Sequence, residues 1–134
     1  MILLLNTAGD EAFLGLYDEK KWLVTASWES GRTLSAELLG KMESLYHQAK
    51  KEIKQTDGII ANAGPGSFTG LRIGLSVANT LAYDLNIPIV GVKNGHKKEL
   101  LLEQGLKLID NKKTFSKPIL PEYGAEPRIT RAKK

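Results

Sequence analysis

The stretch G-P-G-S-F-T-G-L-R-I-G-L-S, Gly64 to Ser76, constrains the fold more than any other part of the chain. Three glycines and a proline within its first seven residues dictate a tight turn. The turn follows an apolar run, Gly58 to Ala63, and opens a helical pattern that continues to about Leu85. It therefore reads as strand, turn, helix. On that helix Gly70, Gly74 and Ala78 recur at i, i+4 and i+8, which makes one face nearly flat. Leu71 and Leu75 flank this face with apolar area. A flat face admits another backbone at close range. The spacing alone leaves open whether that backbone belongs to a ligand, to the chain's own sheet or to another protein.

The flanking sequence supplies the rest of the fold. Ile2 to Asn6, Ala12 to Tyr17 and Trp22 to Trp28 read as strands, the last two joined by the polar turn Asp18 to Lys21. Leu34, Leu38, Leu39, Met42, Leu45, Tyr46, Ala49 and Ile53 recur at helical spacing, with Thr33 as the candidate N-cap and Asp57-Gly58 as the stop. Ile59 to Ala63 and Ile89 to Val92 are two further strands, and Pro88 prevents the intervening helix from continuing. The order β-β-β-α-β-α-β predicts an α/β fold with a mixed five-stranded sheet and helices packed on it. This is the layout of the ribonuclease H-like half-domain shared by actin-like ATPases. We place one domain at residues 1–95. Residues 96–134 are expected to hold a short helix and then a basic extension rich in proline and lysine.

That division follows the charge. Residues 1–92 carry 8 basic and 10 acidic side chains, whereas residues 93–134 carry 11 basic and 5 acidic, so the tail is net +6. Such a tail attracts phosphate, although solvated surface has the same composition. Within it, Pro118 to Pro127 places Ile119, Leu120 and Tyr123 among prolines. An extended docking segment is expected there, with Tyr123 as its largest buried group and Arg128 to Lys134 mobile. The chain has no cysteine, which removes thiolate metal sites and cysteine nucleophiles and suits the cytosol. Met1 to Leu5 is too short for a signal peptide or a membrane span.

Enzymatic readings of the glycine turn meet specific obstacles. Gly64, Gly66 and Gly70 are spaced one residue too long for a dinucleotide fingerprint, and no Gly-Lys-Ser/Thr follows. Ser67 lacks the G-x-S-x-G context of a nucleophile elbow; Ser67 and Thr69 fit better as helix caps. His47 and His96 are not paired at metal-binding spacing. Asp10, Glu11, Asp57 and Asp84 show no convergent arrangement for two-metal chemistry. Asn6, at the end of the first strand, stands where an actin-like ATPase would want a carboxylate near magnesium. Arg72 sits early in the second helix, where the helix dipole disfavours a cation. A carboxylate or another chain would offset that.

Gly64 to Gly74, G-P-G-S-F-T-G-L-R-I-G, resembles the signature of the bacterial TsaB (YeaZ) family. Asn6-Thr7-Ala8 looks like the family's Asp-Thr-Ser/Ala turn, and Ile87 to Val92 is similar to the strand after the signature helix. The likeness covers about residues 1–95. It implies a non-catalytic subunit that supports a TsaD-like transferase, with a TsaE-like ATPase, in installing threonylcarbamoyl groups on the adenosine beside the tRNA anticodon. It further implies a homodimer when the chain is alone, a cytoplasmic setting and no membrane contact. No cofactor of its own is implied, because ATP and metal belong to the partner subunits. The expected partner-binding residues are Gly64, Pro65, Gly66, Ser67, Phe68, Thr69, Gly70, Leu71, Arg72, Gly74, Leu75 and Ala78. Transfer RNA would be reached through the complex, with the basic tail as a candidate contact.

The chain departs from the family pattern in three respects. Asn6 replaces the usual aspartate. The first helix opens Leu34-Ser35-Ala36-Glu37-Leu38-Leu39-Gly40 without the family's histidine. Residues 93–134 stand in place of a much longer second lobe, the expectation for a short form reduced to its interface domain. The competing readings are a degenerate actin-like ATPase or kinase, a peptidase relative, and a tRNA-binding accessory module.

Overall fold

The computed structural model describes residues 1–123. A single sheet runs in the order β3-β2-β1-β4-β5. Its strands are β1 (Ile2–Asn6), β2 (Glu11–Asp18), β3 (Lys21–Glu29), β4 (Gly58–Gly64) and β5 (Ile89–Lys93). Strands β1, β2 and β3 form an antiparallel meander, while β4 and β5 join parallel to β1. This is the mixed five-stranded sheet that the strand order predicts. The β2–β3 turn is closed by Glu19 and Lys20, both at positive φ, 49° and 67°. Two consecutive left-handed residues give the turn a twist that matches that of its flanking strands.

Helices α1 (Leu34–Ala49) and α2 (Phe68–Leu85) cover one sheet face, and α3 (Lys98–Ile109) covers β4 and β5 on the other. Alternation along the strands divides the core accordingly. Leu3, Leu5, Leu14, Leu16, Ile59 and Ala61 meet α1 and α2. Leu4, Phe13, Ile60, Val90 and Val92 point the other way, where Leu101 of α3 joins them. Gly105 brings α3 so close to β4 that a methyl group there would strike Ile60.

Three local expectations need correction. The first helix ends at Ala49, not near Ile53, because Lys50 turns left-handed at φ 59° and its N–H closes the last turn. Ile53 lies in a separate 3₁₀ turn, Ile53–Gln55, held by a reciprocal Glu52–Gln55 capping box. Thr33 makes no side-chain cap; its hydroxyl donates to the Ser30 carbonyl at 3.0 Å.

The tail beyond α3 docks in extended form along α2, running antiparallel to the helix. Phe115 packs edge-on against Tyr83, with ring centroids 5.6 Å apart. Its N–H donates to Asn86 Oδ1 at 3.3 Å. Ile119 packs against the α1–α2 core, the Glu122 N–H donates to the Ala63 carbonyl at 2.7 Å, and Tyr123 stacks on Phe68 at 4.6 Å. The expected docking segment is present as far as Tyr123, but its anchor is Ile119. Tyr123 remains 37% exposed and Leu120 77% exposed. The rest of that expectation, residues 124–134, lies outside the described residues.

Candidate protein–protein interface

Ser67 caps α2 as expected, its hydroxyl accepting the Gly70 N–H at 3.2 Å. Thr69 is no cap; it lies inside the first helical turn, exposed. The residues of the glycine signature then part company. Gly70, Leu71, Gly74, Leu75 and Ala78 are all buried. A side chain at Gly74 would collide with the Thr7 side chain, and one at Gly70 with the Thr7 carbonyl. The Thr7 hydroxyl donates to the Gly70 carbonyl at 2.7 Å, tying β1 to the first turn of α2. The flat face is therefore used within the chain, and its expected role as a helix–helix seam to a partner is corrected. The backbone that approaches so closely is that of the segment following β1.

Gly64 and Gly66 also serve internal packing. Gly64 has φ 116°, a conformation other residues rarely adopt, and a side chain there would strike the Glu122 carbonyl. Gly66 lies against Ala8, whose carbonyl accepts the Ser67 N–H at 2.6 Å. Pro65 is half-buried beside them.

What α2 offers to solvent is the opposite stripe: Phe68, Thr69, Arg72, Ser76, Thr80 and Tyr83. Arg72 is the fifth residue of the helix, and its guanidinium lies over the Phe68 ring, 5.1 Å from the centroid. It joins no ion pair among the described residues. Beside this stripe runs a groove of about 670 Å³ between α1, α2 and the docked tail. Leu39, Ile73 and Val77 give it apolar walls, Arg72 and Ser76 polar edges, and Leu120 closes the tail side. Leu39 is 62% exposed although it occupies a core-like heptad position on α1. A second apolar hollow of about 290 Å³, between Leu39, Met42, Ile53, Val77 and Leu81, continues the surface. Leu39, Leu120 and Ile53 were not among the expected binding residues. Leu39 was legible only as one more member of an apolar periodicity.

The opposite end of β1 is closed by polar contacts. Asn6 Oδ1 accepts both the Ala8 N–H (3.0 Å) and the Asn62 side-chain amide (2.9 Å). Asn62 Oδ1 in turn accepts the N–H groups of Gly64 (3.1 Å) and Gly95 (3.2 Å). Buried polar atoms need such partners, and here the oxygen of Asn6 is committed to the chain's own loops. The carboxylates do not converge: Asp57 and Asp18 hold the N-terminal ammonium at 2.5 and 3.4 Å, while Asp10, Glu11 and Asp84 are exposed elsewhere. His47 and His96 are both exposed, on α1 and in the β5–α3 loop. Among the described residues no group of three or more His, Cys, Asp or Glu is placed to hold a metal ion. No helix among them is long and apolar enough to cross a membrane.

The family model described as TsaD, tRNA N6-adenosine threonylcarbamoyltransferase, matches residues 29–110. The "tRNA threonylcarbamoyladenosine biosynthesis protein TsaB" of Buchnera aphidicola subsp. Schizaphis graminum is 29% identical over 92 residues, covering 69% of this chain and 43% of that protein. The solved structure of YeaZ from Pseudomonas aeruginosa superposes with a TM-score of 0.65 at 28% identity, over 69% of this chain and 43% of that one. The chain belongs to the TsaB (YeaZ) family. TsaB-like features thus account for the sheet order and for the signature turn with its helix. The chain is also similar to proteins named as the transferase itself. The tRNA N6-adenosine threonylcarbamoyltransferase of Methylobacillus flagellatus is 31% identical over 121 residues, covering 77% of this chain and 36% of the relative. This TsaB-family chain spans less than half the length of each of these relatives.

Proposed function

We propose that the chain is a non-catalytic subunit of tRNA threonylcarbamoyladenosine biosynthesis that binds a TsaD-like transferase through the outer face of α1 and α2. The observation that carries this reading is the exposed apolar surface around Leu39, continuous from the α1–α2 groove to Ile53. Its walls are two helices, the arrangement that receives a partner's helix as a ridge in a groove. Family membership supports the pathway. In this reading a TsaE-like ATPase joins through the complex, tRNA is bound by the assembly, and ATP and metal are held by the partner subunits in the cytoplasm. Support for the non-catalytic part comes from Asn6, a neutral side chain whose oxygen already serves Ala8 and Asn62.

The test is co-purification with a TsaD-like transferase from the same genome. Wild-type chain should hold the transferase through gel filtration at micromolar concentration, and Leu39→Asp should release it while remaining folded by circular dichroism. Failure of the wild-type chain to associate overturns the reading.

One observation favours a second reading. Proteins named as the transferase match this chain at 31% identity, so the chain would then be a lobe of a transferase rather than its partner. Threonylcarbamoyl transfer to tRNA by this chain in a mixture free of any separate TsaD would establish that alternative.

A further inference from the structure

The sheet ends on one side at β3, a nine-residue strand whose outer edge has no hydrogen-bonded neighbour among the described residues. Its partner strand β2 is buried continuously from Ala12 to Leu16. In contrast, Leu23, Val24, Ala26 and Trp28 of β3 are only half-buried, although they pack against the α1–α2 core. Natural edge strands are usually kept apart by proline, interior charge or short length. Strand β3 has no proline, and its interior, W-L-V-T-A-S-W, is uncharged and rich in strand-forming residues. Its only charges are Lys21 at one end and Glu29 at the other. Neither belongs to an ion pair among the described residues.

We propose that β3 is a self-association edge, which pairs antiparallel with β3 of a second copy to extend the sheet across a two-fold axis. The charge pattern selects this occupant and this direction. In an antiparallel pair centred on Thr25, Lys21 of each copy approaches Glu29 of the other. A parallel pair would set like charge beside like charge. The same register places Val24 against Ala26 on the face that carries α1, and Thr25 against its own counterpart on the open face. The strand has one irregularity: Tyr17 pairs with Trp22 and Leu16 with Val24, leaving Leu23 as a bulge. The bulge shifts the Lys21 end by one residue, about 3.3 Å. The four-carbon stem of the lysine spans that distance. A two-fold pair uses up both outer edges, so the assembly closes as a dimer along this edge rather than growing into a fibre. The inference does not rest on the α1–α2 docking face.

The absence of cysteine makes the test direct. Thr25→Cys places a lone thiol at the proposed axis, and mild oxidation of the full chain at micromolar concentration should yield a covalent dimer. Gly40→Cys, exposed on α1, serves as the control and should not. Sedimentation equilibrium should show Lys21→Glu weakening self-association at least tenfold and Lys21→Glu combined with Glu29→Lys restoring it. Circular dichroism confirms folding of each variant. No cross-link at Thr25 together with unchanged association in Lys21→Glu overturns the proposal. So does loss of self-association in Leu39→Asp, which would place the contact on the helices instead.

Discussion

The side chain of Asn79 grips the backbone of Ile119 at both of its polar atoms, accepting the N–H at 2.8 Å and donating to the carbonyl at 2.9 Å. An amide side chain is the natural mimic of one more peptide group, so helix α2 holds the tail as a strand would. This explains a polar residue on a helix otherwise rich in apolar side chains. Asn79→Ala should destabilise the fold by about 1–2 kcal/mol, the net worth of two neutral hydrogen bonds. Urea unfolding gives that figure, and amide exchange should show faster exchange at Ile119 and Glu122. Unchanged exchange there would mean that packing of Ile119 alone holds the tail.

Gly74 is the tightest point of the α2–β1 contact. Gly74→Ala should cost about 1–3 kcal/mol by overpacking, despite the better helix propensity of alanine. Thr7 has little freedom to retreat because its hydroxyl is bonded to Gly70. The double variant Thr7→Ala/Gly74→Ala should be nearly as stable as Thr7→Ala alone, a strong non-additivity measurable by chemical denaturation. Simple additivity would refute the contact.

Arg72 is exposed, and its cation rests on Phe68 rather than in an ion pair. Arg72→Ala should change stability by less than about 0.5 kcal/mol. On the proposed docking face it should weaken binding of a TsaD-like partner by about tenfold, roughly 1.4 kcal/mol. Calorimetric titration decides; equal affinities would leave the arginine a solvated surface group.

Tyr46 carries the clearest pH signature. Burial raises its pKa above the usual 10.0, and its bond with Thr56, 2.6 Å long, acts in the lowering direction. The folded protein therefore keeps the phenolic proton more tightly than the unfolded chain. Its contribution to stability is fully present below pH 10 and is lost as pH rises through the folded value. Denaturant midpoints should decline above pH 10, and Tyr46→Phe should remove that part of the decline. At neutral pH the same substitution should cost about 1 kcal/mol, for the lost bond to Thr56.

The strands and the strand–turn–helix unit were legible because their signals are local. Alternation gave β2 and β3, apolar runs gave β1 and β4, and Ser67 stood where a cap was needed. The end of α1 was not legible, since Ile53 continues the apolar period by coincidence and the break comes from a left-handed lysine. The glycine face announced a close approach but not its partner. That partner is Thr7, 63 residues earlier, and only the parallel register of β1 and β4 brings the two together. The tail anchor was misjudged for a related reason. Tyr123 is the larger side chain, but Ile119 is the one that meets the bare backbone of Gly91 and the amide of Asn79. The exposed face of Leu39 escaped notice because a helical period marks apolar residues without saying which of them the core has room for.

The antiparallel course of the tail along α2 has a mechanical consequence. Tension applied at Tyr123 would reach its attachments one after another: the Phe68 ring, the Ala63 carbonyl, the Asn79 clamp, then Tyr83 and Asn86. Each would be peeled singly, as in an opening zip. The β1–β4 ladder, by contrast, would be loaded only after the last had given way. The tail thus works as a tether with slack in reserve, able to yield under load from whatever is attached beyond it while the sheet stays unstrained.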